Sequence, residues 1–146
     1  IMATKGKRLI FSGGMFLPAT EGKAATADLP GTAVTHTATT LTTNVSASTV
    51  FGAPKLFCDY DMLAAKTVGD AWTVGEVMIA RELTQGSTAN LLVASGNNIT
   101  KRGVALTVDG AGLLKIAATD GTDYVYAYSD EIINAASNTL VRVKGA

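Results

Sequence analysis

The side chains best able to do chemistry are isolated along this sequence of 146 residues. His36 is the only histidine, and the sequence offers neither a nucleophile nor an orienting carboxylate to go with it. A histidine base needs both groups within hydrogen-bond reach to activate a hydroxyl or a thiol. Cys58 is the only cysteine, so it can form no internal disulfide, and its neighbours Leu56 and Phe57 indicate a buried, unreactive thiol. We therefore expect no catalytic site and no enzyme activity.

Two acidic segments are candidates for a site that holds a metal ion or a phosphate group. Asp59 and Asp61 are spaced as in some calcium loops, but the other ligands of an EF-hand loop do not follow them. Residues 109–112, Asp-Gly-Ala-Gly, lack the Gly-Lys-Ser/Thr ending of a phosphate-binding loop and the helix that follows it. Helix capping or a solvated acidic face accounts for the first pair, and a hairpin turn accounts for the second segment. The sequence thus predicts no metal and no cofactor.

An aromatic row lies near the C-terminus. Tyr124, Tyr126 and Tyr128 alternate along the chain and would share one face of an extended strand. Such a row can stack on sugars or bases, but no basic residues are interleaved with it, which argues against nucleic acid. Two interpretations stay open, an aromatic contact between subunits or a core face with hydroxyl groups at its rim. We take these three tyrosines as candidate subunit-contact residues.

Charge is scarce and balanced in this chain. Twelve basic and twelve acidic residues give a net charge of zero, and charged residues make up only 16% of the sequence. This balance gives no indication of nucleic-acid or membrane binding, and no apolar run approaches the roughly 18 residues that span a bilayer. A surface so poor in charge suits a protein covered by partners or by copies of itself; a monomeric β protein rich in small residues is the alternative.

Two stretches of the N-terminal half are candidates for contact with a partner. Residues 5–8 include three basic side chains, which either bind an acidic surface or are solvated. Residues 32–49 carry no charge and are rich in Thr, Ala, Ser and Val, which favours extended chain over helix. This tract lies either against a neighbouring subunit or in one or two ordinary strands. The candidate contact residues are Lys5, Lys7, Arg8, Thr35, His36 and Thr37.

The elements that must position these residues are mostly strands. Residues 101–144 contain short alternating runs, and Gly- and Asp-rich turns at 109–112 and 119–123 separate them, which predicts successive hairpins. Residues 72–83 predict a further strand. Residues 59–66 predict a helix of about two turns, because an aspartate can cap it and good helix formers follow.

We expect from these patterns an all-β, mainly antiparallel fold. It would be a small β-barrel or sandwich with an extended N-terminal arm and at most one short helix. Three divisions are expected: an arm with the first strand (1–18), an extended Thr/Ala-rich segment (19–54) and a β-rich core domain (55–146).

The second half of the chain also has a recognisable order of short motifs. They are Arg102-Gly103, Leu106-Thr107-Val108-Asp109, Gly112-Leu113-Leu114, Tyr124-Val125-Tyr126-Ala127 and Leu140-Val141-Arg142-Val143. In this order, residues 72–146 resemble the small decoration, or cement, proteins of tailed-phage heads. Residues 19–54 are additional to the leaner N-terminal region that is common in that family.

The resemblance implies a non-enzymatic virion protein on the outer capsid surface. Proteins of that family commonly sit as trimers at three-fold or quasi-three-fold positions and clamp adjacent capsid subunits against internal DNA pressure. The implied partners are the major capsid protein and the chain itself as a homotrimer. The candidate residues in the two N-terminal stretches would then contact the capsid.

Two other functions are compatible with the sequence. The chain could be another virion structural subunit, of a tail tube or a head fibre, which would also be β-rich. It could instead be a carbohydrate-binding β module that uses the tyrosine row.

Overall fold

The computed structural model describes residues 7–13, 19–44, 54–119 and 121–146, and this part of the chain is almost entirely β structure. Its strands are β1 (Phe11–Gly13), β2 (Ala19–Ala24), β3 (Ala33–Thr37), β4 (Thr40–Thr43), β5 (Leu56–Cys58), β6 (Val77–Glu82), β7 (Thr88–Val93), β8 (Asn98–Ile99), β9 (Ala105–Val108), β10 (Leu114–Ile116), β11 (Ala127–Ser129), β12 (Ile133–Asn134) and β13 (Thr139–Gly145). One helix occurs within the described ranges, the 3-10 helix Met62–Ala64. The prediction of an all-β fold with at most one short helix is confirmed.

Strands β2 to β6 close into a small barrel, here called the N-terminal barrel, in the order β2-β4-β3-β5-β6. Its pairings are antiparallel except that of β2 with β4. Strand β6 covers the second half of the strand predicted over residues 72–83, and it alternates, because Met78 and Ala80 are buried while Val77 is exposed. The interior is filled by Ala24, Val34, Leu41, Leu56, Cys58, Trp72, Met78 and Ala80.

Five further strands form a second closed set, here called the C-terminal ring, in the order β7-β10-β9-β11-β13. Strand β13 closes the ring by pairing with β7 and, on its other edge, with β11. Strand β1 pairs with the start of β7, and β8 and β12 form a separate two-stranded sheet. The apolar run Leu91-Leu92-Val93 is fully buried in β7, as such a run predicts.

The barrel contributes side chains to the hydrophobic core of the ring. Phe57 of β5 belongs to the core of the ring rather than to the barrel interior, and its ring packs edge-on against Tyr126 at a centroid distance of 6.3 Å. The N–H of Ala33 donates to the carbonyl of Gly112 at 2.8 Å, which ties the β9–β10 turn to the start of β3. The two closed sheets are therefore joined through both side chains and backbone.

The topology revises the expected divisions of the chain. Residues 19–44 are not an extended segment lying against a core, because they supply β2, β3 and β4. Strands β5 and β6, which follow residue 54, complete the same barrel. The expected division after residue 54 thus falls inside the barrel. Residues 32–44 of the Thr-rich tract include two ordinary strands, which is one of its two interpretations.

Two local predictions have opposite outcomes. The turn at residues 109–112 is confirmed, since Asp109 Oδ1 accepts hydrogen bonds from two backbone N–H groups of that turn region and Gly112 has φ +77°. The two-turn helix at residues 59–66 is wrong. Asp61 caps only a three-residue 3-10 helix, and Ala65 ends it with φ 57°. None of the helical residues is buried, so no packed face stabilises a longer helix.

Candidate interaction surfaces

The β3–β4 hairpin presents a continuous uncharged surface on the N-terminal barrel. Ala33 and Val34 are buried at the base of β3, whereas residues 35–39 are all exposed. The two strands pair in register from Val34 opposite Thr43 to Thr37 opposite Thr40. At the tip, the Thr40 hydroxyl donates to the carbonyl of Thr37 at 3.0 Å. The hairpin is thus held by its own ladder while its side chains at the tip face solvent.

Three of the candidate contact residues come together on this hairpin. Thr35, His36 and Thr37 are consecutive, exposed residues of β3. Threonine methyl and hydroxyl groups can be covered by a partner without the large desolvation cost of burying a charge. Charged side chains lie on the neighbouring strand β2, where Glu21 and Lys23 are exposed. The arrangement is an uncharged patch beside charged residues, which is a common pattern for a protein contact.

The basic candidate residues lie elsewhere. Lys5 lies outside the described residues. Lys7 Nζ is 3.1 Å from both carboxylate oxygens of Glu131, so its charge is paired within the chain. Arg8 is exposed and, with Lys7, Asn90 and Arg142, borders a shallow groove of about 330 Å³ beside the C-terminal ring. The structure therefore does not bring the basic segment and the hairpin together through any described contact.

The tyrosine row is not an exposed face. Tyr126 is only 1% exposed, and its ring packs edge-on against Tyr124 at 5.3 Å as well as against Phe57. Asn44 Nδ2 donates to the Tyr126 hydroxyl at 3.2 Å. Tyr128, at 42% exposure, is the most accessible of the three. The prediction that all three contact another subunit is wrong for Tyr126, because the barrel covers the row there through Phe57.

The structure also reveals an apolar surface that sequence reasoning missed. Met62 and Leu63 of the 3-10 helix are 75% and 100% exposed, and Leu9 is 48% exposed. Beside the helix lies a groove of about 470 Å³, lined by Arg8, Leu9, Tyr60, Met62, Lys66 and Val68 together with Thr67. The predicted helix would have turned its apolar side chains toward a core. The available signal was that two large apolar residues directly follow a capping aspartate in a segment too short for a stable helix.

Each aspartate of the acidic pair accepts a hydrogen bond within the chain. Asp59 Oδ2 accepts from Arg81 Nε at 2.9 Å, while Asp61 Oδ1 accepts from the backbone N–H of Leu63 at 2.9 Å. The described ranges contain no group of three or more His, Cys, Asp or Glu side chains arranged to hold a metal ion. Nor does any helix in these ranges have the length and apolar character needed to cross a membrane.

Cys58 is buried as its sequence context predicts. Its side chain is 0% exposed, and its Sγ donates to the carbonyl of Leu29 at 2.9 Å. The pKa of this thiol is raised to about 12, mainly by burial and to a smaller extent by the nearby carboxylates of Asp28 and Asp59. The thiol is therefore protonated at neutral pH and lacks the thiolate character of a nucleophile.

No protein-family model matches this chain, and no curated protein matches it. The surfaces and the architecture of the chain are therefore the basis on which its function is inferred.

Proposed function

We propose that this chain is a structural virion protein that binds the outside of a phage capsid and stabilises contacts between major capsid protein subunits. The observation that carries the proposal is the β3–β4 hairpin, whose exposed residues 35–39 carry no acidic or basic side chain other than the single histidine. A surface that must be buried on assembly is easier to desolvate when it carries few charges. The resemblance of residues 72–146 to phage-head decoration proteins points to the capsid as the surface that covers it.

The architecture suits a clamp rather than an enzyme. A closed barrel holds the hairpin on a rigid base, so little conformational entropy is lost when it binds. Each single contact can be weak, because a shell presents many equivalent sites and several copies of the chain bind together. The charged residues of β2 beside the hairpin would set its orientation on the capsid surface.

The burial of Tyr126 argues against the carbohydrate-binding alternative. A sugar-stacking platform needs accessible aromatic faces, and Tyr126 at the centre of the row is buried under Phe57. A tail-tube or head-fibre subunit differs from a decoration protein in where it binds, so an assay of binding to separated capsids and tails distinguishes the two.

Co-sedimentation of the purified chain with phage capsids that lack it tests the proposal. We expect the chain to pellet with capsids and not with purified tails. The double variant Thr35→Glu/Thr37→Glu should weaken capsid binding by more than roughly tenfold, the effect of 1.4 kcal/mol of binding free energy. The matched control is Thr100→Glu/Thr119→Glu, which places the same charges at two exposed threonines outside the hairpin. Equal binding by the two double variants would exclude the hairpin as the contact, and binding to tails alone would exclude the decoration function.

A further inference from the structure

The 3-10 helix Met62–Ala64 exposes two large apolar side chains to solvent. Leu63 is 100% exposed and Met62 is 75% exposed, and no residue of this helix is buried. Single exposed apolar residues are normal on protein surfaces. Here Met62 lines an apolar groove together with Leu9, and Leu63 directly follows Met62 in the helix. Large apolar side chains therefore cluster at this place, and such clusters mark interaction sites.

The patch combines a projection and a recess. The projection consists of Met62 and Leu63. The recess is the groove of about 470 Å³ whose apolar walls include Leu9, Tyr60 and Val68. Met62 belongs to both, because it also lines the groove. A surface that carries a projection next to a recess of suitable character can pair with an identical surface, since each copy then fills the other.

The charges around the patch are complementary to each other. Arg8 lines the groove and forms no salt bridge with any described residue. Asp61, next to Met62, also forms no salt bridge within the described part of the chain, and its carboxylate accepts a hydrogen bond from Leu63 N–H. Lys66, by contrast, is already paired with Glu76 at 3.1 Å. A partner with one acidic and one basic group would satisfy both open charges, and a second copy of this chain supplies that pair.

We propose that this patch is the contact between copies of the chain. Met62 and Leu63 of one copy enter the groove of a second copy, and Arg8 of the first faces Asp61 of the second. Self-association therefore uses the patch around Leu63 instead of the tyrosine row. The contact concerns the chain alone and does not require a capsid, so it can fail while capsid binding holds, and the reverse.

Sedimentation velocity of the full chain over a concentration series tests the apolar part of the contact. The wild-type chain should form a closed dimer, because a contact between two identical surfaces is complete at two copies. Leu63→Asp should weaken association by at least about tenfold, because burying one leucine side chain accounts for that much affinity. The side chain touches no core, so folding should be preserved. The matched control, Ile132→Asp, changes another exposed residue (67% exposed) and should leave association unchanged.

A charge exchange between copies tests the orientation. Arg8→Glu and Asp61→Lys should each prevent self-association, because like charges then meet at the contact. An equimolar mixture of the two variants should associate, since the carboxylate introduced in one chain then meets the ammonium group introduced in the other. Circular dichroism checks that the Asp61→Lys variant, which lacks the Asp61 cap, keeps the fold. If that variant unfolds, loss of self-association in Arg8→Glu alone tests the orientation of the contact.

The proposal is overturned by any of three results. The wild-type chain stays monomeric at every concentration at which it is soluble, Leu63→Asp associates as well as the wild type, or Ile132→Asp weakens association as much as Leu63→Asp does.

Discussion

Gly112 lies where the β9–β10 turn of the ring packs on β3 of the barrel. Its replacement by alanine should be strongly destabilising. Gly112 has φ +77°, and a Cβ atom there would lie 2.7 Å from the γ-methyl groups of both Thr32 and Thr43 and 2.9 Å from the carbonyl oxygen of Ala33. The backbone carbonyl cannot withdraw, because the N–H of Ala33 donates to Gly112 itself. The substitution therefore combines backbone strain with a clash against fixed atoms.

The expected cost follows from these two contributions. A left-handed conformation costs an L-residue about 1–2 kcal/mol. Overpacking a closely fitted contact costs about 1–3 kcal/mol more. Gly112→Ala should thus lower the free energy of unfolding by about 2–5 kcal/mol, a large part of the roughly 5–15 kcal/mol typical of a domain.

Substitutions at two other glycines distinguish the cost of backbone strain from the cost of the steric clash. Gly121 also has φ +77° but has nothing within 4 Å of a Cβ atom, so Gly121→Ala should cost only the strain, about 1–2 kcal/mol. Gly110 lies in the same turn as Gly112, has no positive φ and also faces open space. Gly110→Ala should change stability by less than about 1 kcal/mol, because it mainly reduces the freedom of the unfolded chain.

Urea unfolding followed by tryptophan fluorescence measures all three variants, since Trp72 is buried in the barrel. The order of destabilisation should be Gly112→Ala, then Gly121→Ala, then Gly110→Ala. If Gly112→Ala unfolds at the same urea concentration as Gly110→Ala, the β9–β10 turn does not pack on β3 as described.

Two further predictions concern buried side chains. Tyr126→Ala should lower the free energy of unfolding by about 3–5 kcal/mol, because it leaves a cavity between barrel and ring. Tyr128→Ala, at the exposed tyrosine, should lower it by less than about 1 kcal/mol. Equal losses of stability in urea unfolding would contradict the burial of Tyr126. Cys58 should resist thiol-specific reagents at mildly alkaline pH until the chain is denatured, because burial raises its pKa to about 12, and rapid labelling of the folded chain would refute this. Since that folded-state pKa lies above the thiol's ordinary value of 9.0, this group's contribution to stability should be complete below pH 9.0 and decline as the pH rises beyond it.

Strands with one buried and one exposed face can be predicted from the sequence. In β13, Val141 and Val143 are buried while Lys144 is exposed, so the alternation of residues 141–144 could be read directly, although Leu140 is buried as well. The described Thr-rich tract is harder to read because Val34 and Leu41 are its only buried large apolar side chains. Its strands are completed by β5 and β6, which lie far along the chain. The pattern of residues within the tract gives little information about a barrel that is closed by strands distant in the sequence.

The exposure of some candidate site residues could be predicted from the local sequence, whereas the burial of others depends on tertiary contacts. Exposure of Thr35, His36 and Thr37 agrees with their polar, uncharged context. Burial of Tyr126 depends on Phe57, a residue 69 positions earlier, and so could not be inferred from a period of two. The exposure of Leu63 also departs from local expectation, because its hydrophobicity alone predicts burial.

The proposed location on the outer surface of a phage capsid is the central claim, and imaging of phage particles tests it most directly. Cryo-electron microscopy of purified particles that carry the chain should show the linked barrel and ring repeated over the outer capsid surface, with the β3–β4 hairpin facing the major capsid protein. Density for the chain only in the tail, or a capsid surface without it, would contradict the account.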